Sequence, residues 1–104
     1  MNANSPRITG PTLKVLKELI ACPLKGISGA EIARATGLAS GTLYPILFRL
    51  EKSAWLQSEW EDANPSEMKR PRKRLYRVTA LGEIESRSAF RELMPDPKGL
   101  VWNY

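Results

Sequence analysis

The chain has 104 residues and a hydrophobic share of 42%, which suits one compact domain with a modest core and leaves no room for a second. Sixteen Lys and Arg against eleven Asp and Glu give a net charge of +5, an excess that favours a polyanionic partner without establishing one. With no histidine and a single cysteine, Cys22, a zinc or transition-metal site, an internal disulfide and a Ser-His or Cys-His nucleophile pair are all excluded, and no cofactor, metal or catalytic residue is expected.

Residues 1–11 are polar, carry Pro6 and Gly10, and read as a flexible arm. Nothing in them resembles the apolar stretch of a secretory signal. No run of 18 apolar residues occurs, so no membrane partner and a cytoplasmic location are expected. Thr12 is a candidate cap for a first helix, in which Leu13, Leu16, Leu19 and Ile20 recur at helical spacing until Pro23 and Gly26 stop it. Ser28-Gly29-Ala30-Glu31 fits a capping box, and opens a short helix that Gly37 can end in the left-handed conformation. Leu38 and Ala39 make a turn, and Ser40 is the expected cap of a third helix. In that helix Leu43, Ile46, Leu47 and Leu50 form one stripe for burial. Pro45 is tolerable there only near the first turn, so the regular helix could begin as late as Thr42.

The period then changes. Residues 55–60 and 74–78 are short, aromatic or β-branched and partly alternating, which predicts two strands joined by a long, mobile tip containing Asp62, Asn64, Pro65, Ser66 and Pro71. Trp55 and Trp60 are assigned to core and hairpin packing, while Trp102 has no assigned place. Thr79 can cap a last helix over about 80–94, ended by Pro95 and Pro97. Its apolar residues, Ala80, Leu81, Ile84, Phe90, Leu93 and Met94, do not form one clean stripe. The fold expected is mainly α with a small β-hairpin (α+β): a winged helix-turn-helix of three helices, a two-stranded wing and a C-terminal helix. Residues 12–80 form the winged unit, 81–94 the C-terminal helix and 95–104 a tail.

This order suits duplex DNA, because a helix fits the major groove while a basic hairpin can follow the backbone or enter the minor groove. The outer face of the third helix carries Ser40, Thr42, Pro45, Arg49 and Lys52, with Tyr44 at its border. That face is either a DNA-reading surface or an ordinary solvated one. In the hairpin, Lys69, Arg70, Arg72, Lys73, Arg74 and Arg77 put six of the sixteen cations into nine residues. They can meet phosphates, or pair across the hairpin with Glu59, Glu61, Asp62 and Glu67.

The stretches Gly29-Ala30-Glu31-Ile32-Ala33, Ser40-Gly41-Thr42-Leu43-Tyr44-Pro45-Ile46-Leu47-Phe48-Arg49-Leu50-Glu51, Trp55-Leu56, Ser58-Glu59-Trp60, Arg70-Pro71-Arg72-Lys73 and Tyr76-Arg77-Val78-Thr79-Ala80-Leu81-Gly82 resemble the PadR-like transcriptional regulators. The resemblance spans roughly residues 12–90. It implies a dimeric winged helix-turn-helix regulator, usually a repressor and sometimes responsive to a small molecule. Carried onto matching positions, it makes Ser40, Thr42, Tyr44 and Arg49 candidate helix contacts to double-stranded DNA, and Arg70, Arg72 and Lys73 the wing candidates, to which the cation cluster itself adds Lys69. Arg49 has a structural alternative, pairing with a carboxylate, and Tyr44 could pack its ring on the core and offer only its hydroxyl.

Three departures stand out: Met68-Lys69 where a glycine pair is usual, Ser28-Gly29-Ala30 where a Tyr-Gly pair is usual, and prolines at 95 and 97 where long dimerisation helices are common. A homodimer is expected through the first and last helices, with nucleoid association when bound to DNA. The competing reading is a winged-helix protein-interaction module, an adaptor or antagonist of a related regulator without DNA specificity of its own.

Overall fold

The computed structural model describes residues 6, 8–22, 25–62 and 64–93; most of the N-terminal arm and everything from 94 onward, including the tail and Trp102, lie outside them. In chain order the elements are α1 (Gly10–Ala21), β1 (Ile27–Ser28), α2 (Gly29–Thr36), α3 (Ser40–Lys52), β2 (Leu56–Trp60), α4 (Pro65–Met68), β3 (Arg74–Val78) and α5 (Ala80–Leu93). This is the winged helix-turn-helix expected, mainly helical with a small antiparallel sheet. Among the described residues no helix is long and apolar enough to cross a membrane.

Helix α1 starts two residues earlier than its spacing suggests. Its cap is Thr9, whose Oγ1 accepts from the Thr12 amide at 3.3 Å; Gly10 and Pro11 fill the first turn, where a missing N–H costs little. Thr12, the expected cap, is buried instead and shares its hydroxyl with Thr9 at 3.0 Å. Val15, Leu16 and Leu19 form the buried stripe. The capping box of α2 forms as expected: Ser28 Oγ accepts from the Glu31 amide, and Glu31 Oε1 accepts from the Ser28 amide and hydroxyl. Those bonds hold the Glu31 carboxyl below its usual range, with Lys73 and Arg34 adding attraction. Gly37 closes the helix at φ +75°, as its position suggested.

At α3 the expected cap is displaced by one residue. Ala39 occupies the cap position without a side-chain bond, and Ser40 is the first helical residue. Pro45 falls in the second turn, beyond the first-turn position where its ring is harmless, and removes the amide that would reach the Gly41 carbonyl. Both residues are exposed, so water can satisfy that carbonyl. The helix is held by its other side. Leu43, Ile46, Leu47 and Leu50 are buried against Leu16, Leu19, Ile32, Trp55, Leu56 and Tyr76, and each such leucine contributes about 1.5–3 kcal/mol by leaving water.

The sheet has a third strand that the sequence did not announce. Its order is β1-β3-β2, with β3 in the centre: Ile27 lies opposite Tyr76 and Ser28 opposite Leu75 on one edge, and Leu56 through Trp60 pair with Val78 through Arg74 on the other. Two residues cannot declare an alternating pattern, and the start of α2 hides them. The long tip of the wing also contains a helical turn, α4, capped by Asn64 Oδ1 on the Ser66 amide at 2.9 Å.

Thr79 caps α5, as expected, by accepting the Gly82 amide at 2.9 Å. The same threonine fastens the helix to the turn after α3: its amide and hydroxyl both donate to the Trp55 carbonyl, at 2.9 and 3.1 Å, and the hydroxyl reaches the Ala54 carbonyl at 2.7 Å. Helix α5 therefore lies against backbone. Its buried face is Gly82, Ser86 and Ala89, small residues that permit close approach, with Phe90 packed against the core, while Leu81 and Ile84 point outward. That arrangement explains why the apolar residues of α5 make no stripe.

A methyl at Gly82 would run into the Trp55 carbonyl group, which is backbone and cannot swing aside. Gly82→Ala should accordingly destabilise the protein by about 1–3 kcal/mol, as overpacking does, despite the better helix propensity of alanine. Urea unfolding measures this, and an unchanged or raised midpoint would show that α5 does not sit on Trp55.

Candidate nucleic-acid interface

With its apolar stripe buried, α3 turns Ser40, Gly41, Thr42, Pro45, Phe48, Arg49 and Lys52 to the exterior. Ser40, Thr42 and Arg49, all singled out from the sequence, are exposed on that one helix. Arg49 makes no ion pair among the described residues, so the carboxylate pairing considered for it is not observed. The acid beside it serves another arginine: Glu51 Oε2 accepts the Ser58 hydroxyl at 2.5 Å and lies 3.8 Å from Arg74. Glu51 thereby ties α3 to both long strands of the wing.

Tyr44 is 46% exposed, but its hydroxyl end does not project freely. The ring lies against Gly29 at the start of α2, where an added Cβ would meet Tyr44 Oη at 2.5 Å and two ring carbons at 2.9 Å. Gly29 is thus the space that lets the ring of α3 lie over the beginning of α2.

The wing divides its cations. Arg70 donates through both terminal nitrogens to Glu61, at 2.8 and 3.0 Å, a bidentate pair. The Lys73 amide also donates to Glu61 Oε1, and the Glu61 amide donates to the Lys73 carbonyl. Glu61 therefore closes the base of the loop from three directions, and the Arg70 bonds, followed by the Lys73 amide, hold its carboxyl at about 2 instead of 4.5. Arg77 pairs with Glu59 across the strands, and Arg74 lies over the Trp60 ring at 5.3 Å besides approaching Glu51. Of the wing residues singled out from the sequence, Arg70 faces inward to Glu61, Lys73 is half-buried, and Lys69 and Arg72 are exposed around the loop. Lys69 caps α4 in the left-handed conformation, φ +58°, in a place where glycine is the usual choice.

Sequence reasoning passed over the parts played by Glu51, Gly29 and Phe48, whereas Glu61 was among the acids expected to pair across the hairpin. Alternating acids at 59 and 61 opposite a run of cations were a usable signal for Glu61, because a hairpin with Trp60 opposite Arg74 sets Glu61 beside Lys73. Gly29 and Phe48 gave no such signal, since contact and exposure there depend on how α2 and α3 cross.

Residues 27–88, more than half of the chain, match the family described as Transcriptional regulator PadR-like family. No curated protein matches the sequence. Among solved structures, the chain is similar to the PcaV transcriptional regulator from Streptomyces coelicolor (TM-score 0.68, 23% identity), covering 83% of this chain and 57% of that one. It is similar to AbfR in a disulfide-formed state (TM-score 0.67, 26% identity, 88% and 62%), a protein also solved from Staphylococcus epidermidis. It is similar as well to S. aureus MepR in complex with DNA (TM-score 0.65, 21% identity, 84% and 64%). The chain thus spans about three-fifths of the length of these structures.

The Glu61 carboxyl gives stability a pH dependence of definite sign. A carboxyl whose folded value is depressed contributes stability in full above its unfolded value, here about 4.5, and loses it as pH falls toward about 2. Wild type should therefore exceed Glu61→Gln in thermal midpoint near neutral pH, and the difference should close across that acid window. A difference that stays constant throughout it would contradict the Arg70–Glu61 closure.

Proposed function

The chain belongs to the PadR-like family of transcriptional regulators, and we propose that it binds double-stranded DNA sequence-specifically as a homodimeric repressor. The observation that carries this reading is the outer face of α3: a helix fully committed to the core on one side, offering Ser40, Thr42 and Arg49 on the other. A helix of that width enters the major groove, where such side chains reach base edges and phosphates. Tyr44, half-exposed on the same helix, adds a contact. The wing then lies along the backbone or in the minor groove through Lys69, Arg72 and Lys73, while Arg70 shapes the loop that carries them. MepR, similar in fold, was solved with DNA, which supports the same use here. Pairing through α1 and α5 is supported by Leu81 and Ile84, exposed and three residues apart on α5.

Incubation with a random pool of duplex DNA at physiological salt, followed by sequencing of what is retained, tests the reading. A two-fold symmetric motif with half-sites about one helical turn apart, roughly 34 Å, is the expected result. Absence of retention by folded protein would overturn DNA binding and leave the protein-interaction module. Substituting Arg72 and Lys73 by Ala should weaken binding to every sequence alike and flatten the salt dependence by about 0.9 in log–log slope for each phosphate that is no longer neutralised. Thr42→Ala should instead change which bases are preferred.

Gly29→Ala supplies an independent check on Tyr44. The atoms in its way are the end of a half-exposed ring, so folding should suffer little, yet the ring must leave α2. Affinity for the selected duplex should fall with the unfolding midpoint nearly unchanged. Unaltered affinity would remove Tyr44 from the interface.

A further inference from the structure

Phe48 is the most exposed large apolar side chain among the described residues, at 66%, on a helix whose Leu43, Ile46, Leu47 and Leu50 are all buried. It follows Gly41 by seven residues and Pro45 by three, so at 3.6 residues per turn all three share the outward face of α3. Lys52, one turn further on, holds its ammonium 5.9 Å from the ring centroid, and Arg49 is exposed beside it. The acid of this helix, Glu51, is turned away to Ser58 and Arg74. The surroundings of Phe48 are therefore cationic, and suit a polyanion that also offers an apolar group.

Duplex DNA has one such group in the major groove, the C5-methyl of thymine, and an apolar side chain is its natural contact. We propose that Phe48 is a specificity-determining residue that reads a thymine methyl, with Lys52 and Arg49 holding the flanking phosphates. The inference rests on the DNA-binding reading above and deepens it. Polar side chains discriminate base pairs by hydrogen bonds; Phe48 does so by the presence or absence of a single methyl, an apolar requirement that the resemblance to the family did not supply.

The test removes that methyl and nothing else. Duplexes carrying the motif selected from the random pool are synthesised with each thymine in turn replaced by deoxyuridine, which keeps every hydrogen-bonding group. Wild type should lose about three- to fivefold in affinity at one thymine of each half-site, the effect of deleting one methyl from an apolar contact. Phe48→Ala should bind the thymine and uracil duplexes equally. Because Phe48 is outside the core, that variant should keep the wild-type unfolding midpoint; Phe48→Leu, which retains an apolar tip, should keep part of the discrimination.

Indifference of the wild type to every deoxyuridine replacement would overturn the inference while leaving sequence-specific binding intact. So would the same thymine preference in wild type and Phe48→Ala. A Phe48→Ala variant unchanged in DNA binding but altered in oligomeric state would overturn it in favour of a protein contact. Failure of the wild type to retain any duplex would overturn both the inference and the reading beneath it.

Discussion

The structure depends on β3 being held along both edges. Tyr76, at its centre, faces Ile27 on one side and Ser58 on the other, and is itself buried in the core. Ile27 and Ser28 run directly into α2, so the strand that carries the wing is hydrogen-bonded to the residues that cap the helix-turn-helix. A wing attached only through β2 could hinge about its turn. Here it cannot swing without breaking the short β1 ladder or moving Tyr76 out of the core. Glu51 adds a second tie from α3 to Ser58 and Arg74. Helix α3 and the strands of the wing are thus tied into one hydrogen-bonded unit, and preorganisation of that kind lowers the ordering cost of any binding that uses both.

Charge is apportioned within this frame. Nine residues with six cations would repel one another, and the fold relieves part of that repulsion at the base of the wing. Glu59 takes Arg77, Glu61 takes Arg70, and Trp60 together with Glu51 attends Arg74. Exposed ion pairs contribute modestly to stability, so their consequence is chiefly positional. They fix the strands and the loop entry. Along the strands and at the loop entry, Arg70, Arg74 and Arg77 each have an acidic partner.

What the sequence made legible follows the range of the interactions. The capping box of Ser28 and Glu31, the left-handed Gly37, the Thr79 cap and the leucine stripe of α3 are encoded within a turn or two of chain, and each forms as read. The displaced caps at Thr9 and Ala39 show the limit of that local reading. Two threonines three residues apart compete for one cap, and a helix can start on an alanine when tertiary burial of its stripe supplies the stability. The β1 strand, the Gly29 space and the exposure of Phe48 depend on which distant elements meet. The exposure of Ser40, Thr42 and Arg49 was legible because they lie opposite an apolar stripe. Phe48 shares that face, but hydrophobicity argues for burial in any reading made from periodicity alone.

The contact between Thr79 and Trp55 carries the same logic into α5. Because Gly82 brings the helix directly onto a backbone carbonyl, its rotation is fixed within the tolerance of a single methyl. Fixing the rotation fixes which residues face outward, and Leu81 and Ile84 are there because Gly82, Ser86 and Ala89 occupy the inner side. Trp55 is also the residue that follows the turn out of α3, with its amide bonded back to the Leu50 carbonyl. In a two-fold pair formed on α5, the separation of the two α3 helices would be set through this one short path, from Leu50 to Trp55 to Thr79.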